Sequence, residues 1–493
     1  MPQPDVPRVS VILPVYDSMP YLTGTMESLL TQDLRGDELE VIAIDDGSTD
    51  GSGEELDRFA ELAAEQAGGP RLTVIHQPNS GWPGMPRNRG LDLARGEFVF
   101  FMDSDDTAAH DALRLMIEAA DRTGADVVLP RMRGVGGRRV QPLFDKHPDG
   151  PITVSRALET LSPQKLIRRE VIERHGLRFP EGRVRLEDGI LMTRLYLLAN
   201  RLEFCAPKPL YFIAEREDGG NISAGRIEPE GYVRSVRTIC EALRGAVGGA
   251  AVPNEAAADA LVYELFSRKG LKFYTPKWWT PMEPAEREDW VRLHAELLRE
   301  LLPAAYDAAI RRPDEAQLMA LLRVGDAEAI DAFVRTRESL RHRSTLLDAR
   351  EKRGLLKRRG ALELTVEAEG ETVVAAAGSG AESGPADPPP LSLHLVGRVS
   401  TERYVVPARS PERGAGSGSG GAPCYRFEVP REALAGFGGE TVDLWSVRHA
   451  PDGTAGVPVR VLAGRLPKGV VADVEPFRTK TGYASLRAPK PKA

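Results

Sequence analysis

Cysteine is scarce. Cys205, Cys240 and Cys424 are the three in 493 residues, and their wide separation excludes a disulfide scaffold and any cysteine-based metal spacing. They read as small buried hydrophobes of a protein in a reducing compartment. No apolar run approaches the roughly 20 residues that span a bilayer. The stretch Val9 to Val15 is short, is broken by Pro14 and follows no basic segment, so it lacks the form of a signal peptide. A basic excess is missing as well: 65 Lys and Arg against 72 Asp and Glu leave a net charge of -7, which excludes the broadly basic footprint of a nucleic-acid binder. Together these absences predict a cytoplasmic protein that does not thread a product through the membrane.

The length exceeds what one hydrophobic core holds, and the texture changes along the chain. Residues 1–230 alternate short apolar runs with helical periodicity, so the fold class expected there is α/β with a mostly parallel sheet. Residues 231–359 are rich in Ala, Leu, Glu and Arg and read as a helical linker on the acceptor side, ending in a densely basic stretch, Arg341 to Arg359. Residues 360–475 carry short period-two runs such as Leu391-Ser392-Leu393-His394-Leu395, expected to form a β-sandwich. Two Gly, Ser and Pro-rich insertions, 377–390 and 410–423, read as mobile loops, and 476–493 as a basic disordered tail.

The most informative segment is Phe98-Val99-Phe100-Phe101-Met102-Asp103-Ser104-Asp105-Asp106. An apolar strand ends in carboxylates spaced two apart, at the edge where open α/β sheets bind ligands. Oxygen ligands favour Mg2+ or Mn2+ over zinc. In isolation such a turn is as often structural as functional. A second acidic strand end, Asp45-Asp46-Gly47-Ser48-Thr49-Asp50, serves either a ribose or base, or a turn and helix cap. In the loop Asn79 to Gly90, Arg87 lies near a helix start, where it meets a pyrophosphate or closes a salt bridge. Glu187-Asp188 opens a helix; the acid pair is ordinary macrodipole chemistry, yet its place after the acidic strand end makes it a candidate general base, kept ionised by the helix N-terminus.

Taken in order, Val9 to Tyr16, Asp45 to Asp50, Arg87-Asn88-Arg89-Gly90, Asp103-Ser104-Asp105-Asp106 and Glu187-Asp188 resemble the family 2 glycosyltransferases of the GT-A fold over roughly Arg8 to Gly225. More weakly, the helical middle and β module resemble the wall teichoic acid N-acetylglucosaminyltransferases, whose C-terminal modules help trimerise the enzyme. The resemblance implies an inverting transfer from a UDP-sugar, with UDP-N-acetylglucosamine favoured over UDP-glucose or UDP-galactose, to a hydroxyl of a surface glycopolymer. It implies that Pro14, Tyr16 and Asp46 hold uracil and ribose, that Asn79 and Arg87 contact the nucleotide or its phosphates, and that Asp103 faces ribose and metal. Asp105 becomes the direct ligand of Mn2+ or Mg2+, and Asp188 the base positioned by Glu187. Arg216 and Ser223 fall in a segment matching, loosely, a loop that closes over the diphosphate. A homo-oligomer through the C-terminal module is implied too, while the basic tail and Arg341 to Arg359 suit peripheral contact with the inner face of the cell membrane.

Two rival readings stand beside it. A metal-dependent nucleotidyltransferase would need a glycine-rich phosphate loop after the first strand, and Pro14-Val15-Tyr16-Asp17-Ser18 is not one. A non-catalytic scaffold would bind an anionic polymer through Lys269, Lys272, Lys277, Trp278 and Trp279, aromatics stacking on sugars and cations meeting phosphates.

Overall fold

A computed structural model of the chain describes residues 6–66, 68–216, 225–340, 342–352, 361–369, 390–398, 402–408, 412–413, 422–464, 466–467, 470–472 and 474–488. The chain folds as two units, residues 1–270 and 271–493.

In the first unit, strands β1 (Val9–Val15), β2 (Leu39–Asp45), β3 (Arg71–His76) and β4 (Phe98–Phe101) alternate with helices α1 (Tyr21–Leu30), α2 (Ser52–Glu65) and α3 (Gly84–Leu93). β1, β2 and β4 are covered on both faces, which is why they read as continuous apolar runs rather than alternating ones. They pair in parallel, with Val11 of β1 between Val41 of β2 and Phe100 of β4. The chain continues through β5 (Thr107–Ala108), α4 (Ala112–Thr123), β6 (Val127–Pro130), β7 (Met132–Gly134), α5 (Leu143–Lys146), β8 (Gly150–Pro151), α6 (Val154–Ala157), β9 (Leu166–Arg168) and α7 (Arg169–Arg174). It ends with α8 (Glu187–Leu198), β10 (Leu202–Cys205), β11 (Tyr211–Ile213), α9 (Pro229–Gly245) and α10 (Glu255–Lys269).

The large sheet runs β3-β2-β1-β4-β9-β6-β10-β8, and a small sheet β5-β11-β7 is formed separately. The expected mostly parallel α/β sheet is present; edge strand β8 pairs antiparallel with β10, and a second antiparallel strand lies inside the sheet. β9 lies antiparallel between β4 and β6. An antiparallel strand begins where its neighbour ends, so the residues just before Leu166 come to the same edge as those just after Phe101. That topology brings Gln164 and Lys165 to the acidic turn.

In the second unit, helices 276–279, 284–301, 313–324 and 327–339 precede the β module. Trp279 and Trp290 are buried, and Trp279 Nε1 donates to Asp331 Oδ1 at 2.9 Å. Trp279 is therefore part of the helical core and cannot serve as a stacking platform for sugars. Two sheets enclose Leu364, Leu393, Leu395, Phe427, Leu444 and Leu486, the sandwich expected from period-two alternation.

Two sequence-based boundaries move. The basic stretch Arg341 to Arg359 is not the end of the helical region: Arg343–Lys352 is the first strand of the module, paired with Ala361–Glu369. A register shift between Leu346 and Asp348 breaks the alternation, so the period-two signal vanishes although Ser344, Leu346 and Ala349 still face inward. The tail is not disordered from residue 476. Glu475–Arg478 and Ala484–Arg487 pair with each other, the latter also with Thr441–Arg448, and Ala484 and Leu486 are fully buried. Strands of four residues with basic outward positions leave too little pattern to read. Most of the two expected loops, together with 489–493, lies outside the described residues.

Candidate active site

β4 ends at the site. Met102 N donates to Ile12 O at 3.1 Å, carrying the ladder one residue past the strand, and Asp103 follows at the open edge. Tyr211 of β11 supports the turn, its hydroxyl accepting from Asp103 N at 3.2 Å. Asp106 turns inward: its Oδ1 accepts from Ala214 N at 2.8 Å, and burial beside two other carboxylates pushes its carboxyl up to about 8. The turn therefore divides its acids, Asp106 holding the small sheet while Asp103 and Asp105 stay half-buried.

α3 delivers Arg87. Its first residue, Gly84, passes so close to the 179–181 segment that a Cβ would meet Pro180 O at 2.2 Å, and Asn88 fixes that segment by bonding both Phe179 N and Phe179 O at 2.9 Å. Arg87 itself is only 4% exposed. Its Nη2 donates to Asp103 Oδ1 at 2.9 Å; its Nη1 donates to Asp188 Oδ1 at 2.6 Å and to Glu187 Oε1 at 3.4 Å. Glu187 and Asp188 open α8 immediately after Leu186, whose φ of 59° is an uncommon conformation for a residue with a Cβ. Gln164 closes the cluster by donating from Nε2 to the other Asp103 oxygen at 2.6 Å.

One guanidinium thus faces three carboxylates. It cannot neutralise all of them, and burial with the neighbouring Glu187 and Asp103 charges pushes Asp188 up to about 8 against the opposing pull of Arg87. Sequence reasoning expects the helix N-terminus to keep this acid ionised, and burial acts against it. Lys165, fully buried, is pushed down to about 7 by the same desolvation and donates to Thr160 Oγ1 at 3.0 Å and Ser162 Oγ at 3.1 Å. Burial and the adjacent Asp103 raise Asp105 to about 6, opposed by Arg216 and Arg138.

That leaves excess negative charge on Asp103 and Asp105, the property a divalent cation would relieve. Among the described residues no three His, Cys, Asp or Glu side chains are grouped to hold a metal by themselves. Both Asp103 oxygens already have donors, so Asp105 is the freer ligand. The donor set fits an ion of the Mg2+ type, commonly held by one or two carboxylates with substrate phosphates and water filling the rest.

The other acidic strand end is wired differently. Asp45 accepts from Ser48 N at 3.0 Å and meets His76 Nδ1 at 2.8 Å. Asp46, buried, accepts from Gln77 Nε2 at 2.6 Å, Ser80 N at 3.0 Å and Ser80 Oγ at 2.7 Å. Gly47 makes the turn with φ of 76°, where a Cβ would stand 2.7 Å from Asn79 N. Asp46 therefore ties the β3–α3 loop to β2. Beside it Tyr16 is 48% exposed, its phenol raised by the Asp17 charge; Pro14 is half-buried within β1. Arg216 donates to Asp17 O at 2.8 Å and lies over Tyr21. Ser223 lies outside the described residues.

The geometry thus brings Arg87, Asp103, Glu187 and Asp188 together, with Asp105 on the same turn, and sets Tyr16, Asp46 and Asn79 on a neighbouring rim. Sequence reasoning missed Gln164 and Lys165. Their only signal is a polar pair directly before the apolar Leu166-Ile167, unremarkable until the strand is known to run backwards.

Residues 10–177 match the family described as Glycosyl transferase family 2. This chain carries a family 2 glycosyltransferase domain. Residues 229–334 match the Glycosyl transferase TarS linker domain. The poly(ribitol-phosphate) beta-N-acetylglucosaminyltransferase TarS of Staphylococcus aureus (strain Mu50) is 31% identical over 337 residues, covering 68% of this chain and 56% of that protein. The poly(ribitol-phosphate) beta-glucosyltransferase of Bacillus spizizenii is 29% identical over 240 residues, 48% of this chain and 37% of the relative. This chain thus spans about half or less of the length of these curated relatives. The crystal structure of S. aureus TarS 1–349 in complex with UDP-GlcNAc is similar at a TM-score of 0.59 and 29% identity, over 67% of this chain and 91% of that one. The glycosyltransferase domain includes β9 and so contains Gln164 and Lys165, whereas Glu187 and Asp188 follow the matched segment. No helix among the described residues is long and apolar enough to cross a membrane.

Proposed function

We propose that this chain transfers a sugar from a UDP-sugar, with UDP-N-acetylglucosamine the first choice, to a hydroxyl of a polymer of the poly(ribitol phosphate) type, inverting the anomeric centre. The observation that carries the reading is the convergence on Arg87 of Asp103, Glu187 and Asp188, with Gln164 bonded to Asp103, from separate segments of the chain, leaving one carboxyl with a raised proton affinity. The names of the relatives support donor and acceptor class.

In this mechanism Asp188 takes the proton of the attacking hydroxyl. A base whose conjugate acid titrates near 8 is a better proton acceptor than an ordinary carboxylate and is still available near neutral pH. Arg87 and Glu187 aim it. Asp105, with Asp103 behind it, would hold Mn2+ or Mg2+; when bound, such an ion neutralises charge growing on the departing diphosphate. Pro14, Tyr16, Asn79 and the Asp46-braced loop border the nucleoside, and Arg216, with Ser223 further along, serves the diphosphate side. The C-terminal β module serves self-association.

The test is UDP release from UDP-N-acetylglucosamine, with and without poly(ribitol phosphate), in Mn2+ or Mg2+, with the product's anomeric configuration read by NMR. Polymer-dependent release and a β-linked product are expected. Binding of the polymer with no release from any UDP-sugar would make the chain a scaffold instead.

A further inference from the structure

Gln164 uses only half of its amide. It is 2% exposed and lies just before β9. Its Nε2 donates to Asp103 Oδ2 at 2.6 Å, whereas Oε1 is buried and has no hydrogen-bond partner among the described residues. Chemistry fixes that orientation: an ionised carboxylate only accepts, so the nitrogen faces Asp103 and the carbonyl is the end left unmatched. A buried, unmatched carbonyl destabilises the fold. An apolar side chain of the same length would avoid it, so shape alone does not account for a glutamine at this place.

The segment that carries Gln164 is braced. Lys165 Nζ donates to Thr160 Oγ1 at 3.0 Å and to Ser162 Oγ at 3.1 Å, and Tyr196 Oη of α8 donates to Thr160 O at 2.9 Å. α8 is also the helix that opens with Glu187 and Asp188. Segment 160–165 is thus fastened to the helix of the base at one end and grips Asp103 at the other. From Asp103 the hydrogen bonds continue through Arg87, whose Nη2 donates to Asp103 Oδ1 at 2.9 Å and whose Nη1 donates to Asp188 Oδ1 at 2.6 Å. With a donor on each oxygen, the plane of the Asp103 carboxylate is set. Without Gln164 it is free to turn about its Cβ–Cγ bond, and the guanidinium that leans on it loses a fixed partner.

We propose, on the transferase reading given above, that Gln164 is a positioning residue for sugar transfer: it fixes the Asp103 carboxylate and, through it, the Arg87 guanidinium that aims Asp188. It acts at two removes from the base. Its loss should therefore appear in the rate of transfer and not in the hold on the nucleotide, whose rim at Tyr16, Asp46 and Asn79 it does not contact.

The experiment compares wild type with Gln164→Met, Gln164→Leu and Gln164→Glu. UDP release from UDP-N-acetylglucosamine with poly(ribitol phosphate) gives kcat and donor KM, calorimetry with Mn2+ gives UDP affinity, and thermal melting gives Tm. The two apolar variants fill the space while removing both the donor and the unmatched carbonyl. Their kcat should fall about 10- to 100-fold, the scale of a lost hydrogen bond to a charged group and a misaligned base. Donor KM and UDP affinity should stay within about threefold of wild type, with Tm equal to or above it. Gln164→Glu keeps the shape but sets a second carboxylate against Asp103, so its kcat should fall at least as far and its Tm should drop. If one apolar variant is unfolded, the other decides. Unfolding of both, a kcat within about threefold of wild type in either folded one, or a fall in kcat matched by equal losses of UDP affinity and Tm, overturns the positioning role and leaves the transferase reading standing. A wild type that releases no UDP from any sugar donor sinks that reading and the role of Gln164 with it.

Discussion

Two acidic strand ends lie on either side of β1 in the first unit and have opposite electrostatics. At the end of β2, Asp45 and Asp46 are matched by donors from Ser48, His76, Gln77 and Ser80. At the end of β4, the carboxylates outnumber their cations: Arg87 serves Asp103, Glu187 and Asp188 together, and Asp105 faces Asp103 with no ion pair of its own among the described residues. A satisfied carboxylate holds a loop in place. A surplus of buried carboxylates raises proton affinity and favours cations, and that is chemistry.

The sharpest way to break this contrast is Asp188→Asn, which keeps the shape and the Arg87 contact but removes the proton acceptor. Turnover should fall by at least about 10²- to 10⁴-fold, while calorimetric UDP affinity changes little. Normal turnover in that variant would take the base role away from Asp188. Asp105→Ala comes next. Donor affinity measured with and without Mn2+ should lose its metal-dependent increment, and identical titrations of the two proteins would remove Asp105 from the metal site.

A pH series addresses the same surplus of charge. Because the Asp188 carboxyl is raised to about 8, the form that accepts a proton is depleted as pH falls. The logarithm of kcat/KM should rise with unit slope up to about pH 8 and then level. A break below pH 5 would mean that Arg87 dominates over desolvation. Stability should follow the opposite course. Asp106 binds its proton more tightly folded than unfolded, so its contribution is full below the unfolded carboxyl range and is lost as pH rises through about 8. Asp106→Asn should therefore show a smaller drop in Tm between pH 6 and 9 than wild type.

The smallest effect belongs to the satisfied pair. Asp46→Ala leaves Ser80 and Gln77 unmatched and should cost about 1–3 kcal/mol of stability, with a higher KM for donor and a kcat within a few-fold. A collapse of kcat in this variant would erase the distinction between the two strand ends.

Local pattern carried much of the site. The apolar run Phe98 to Met102 broken at Asp103 was readable because a strand buried on both faces admits no polar residue until it leaves the sheet. The helix after Glu187 was readable from its spacing. The role of Arg87 was only half legible: its place near a helix start suggested a phosphate contact or a salt bridge, and the structure shows it surrounded by three carboxylates. Nothing within a few residues of Arg87 announces partners at 103, 187 and 188. The same limit explains the strand at 343–352, where an irregular register erased the alternation, and the two short strands after residue 474, whose composition resembles a tail.

The set of elements and the inventory of acids were legible residue by residue, because periodicity and strand ends are set by near neighbours. Which acids share a cation depends on packing at long range, since the reversal of β9 and the seating of α8 rest on contacts across many residues. The proton affinities follow from that assembly, because desolvation and charge crowding exist only once distant segments are packed together.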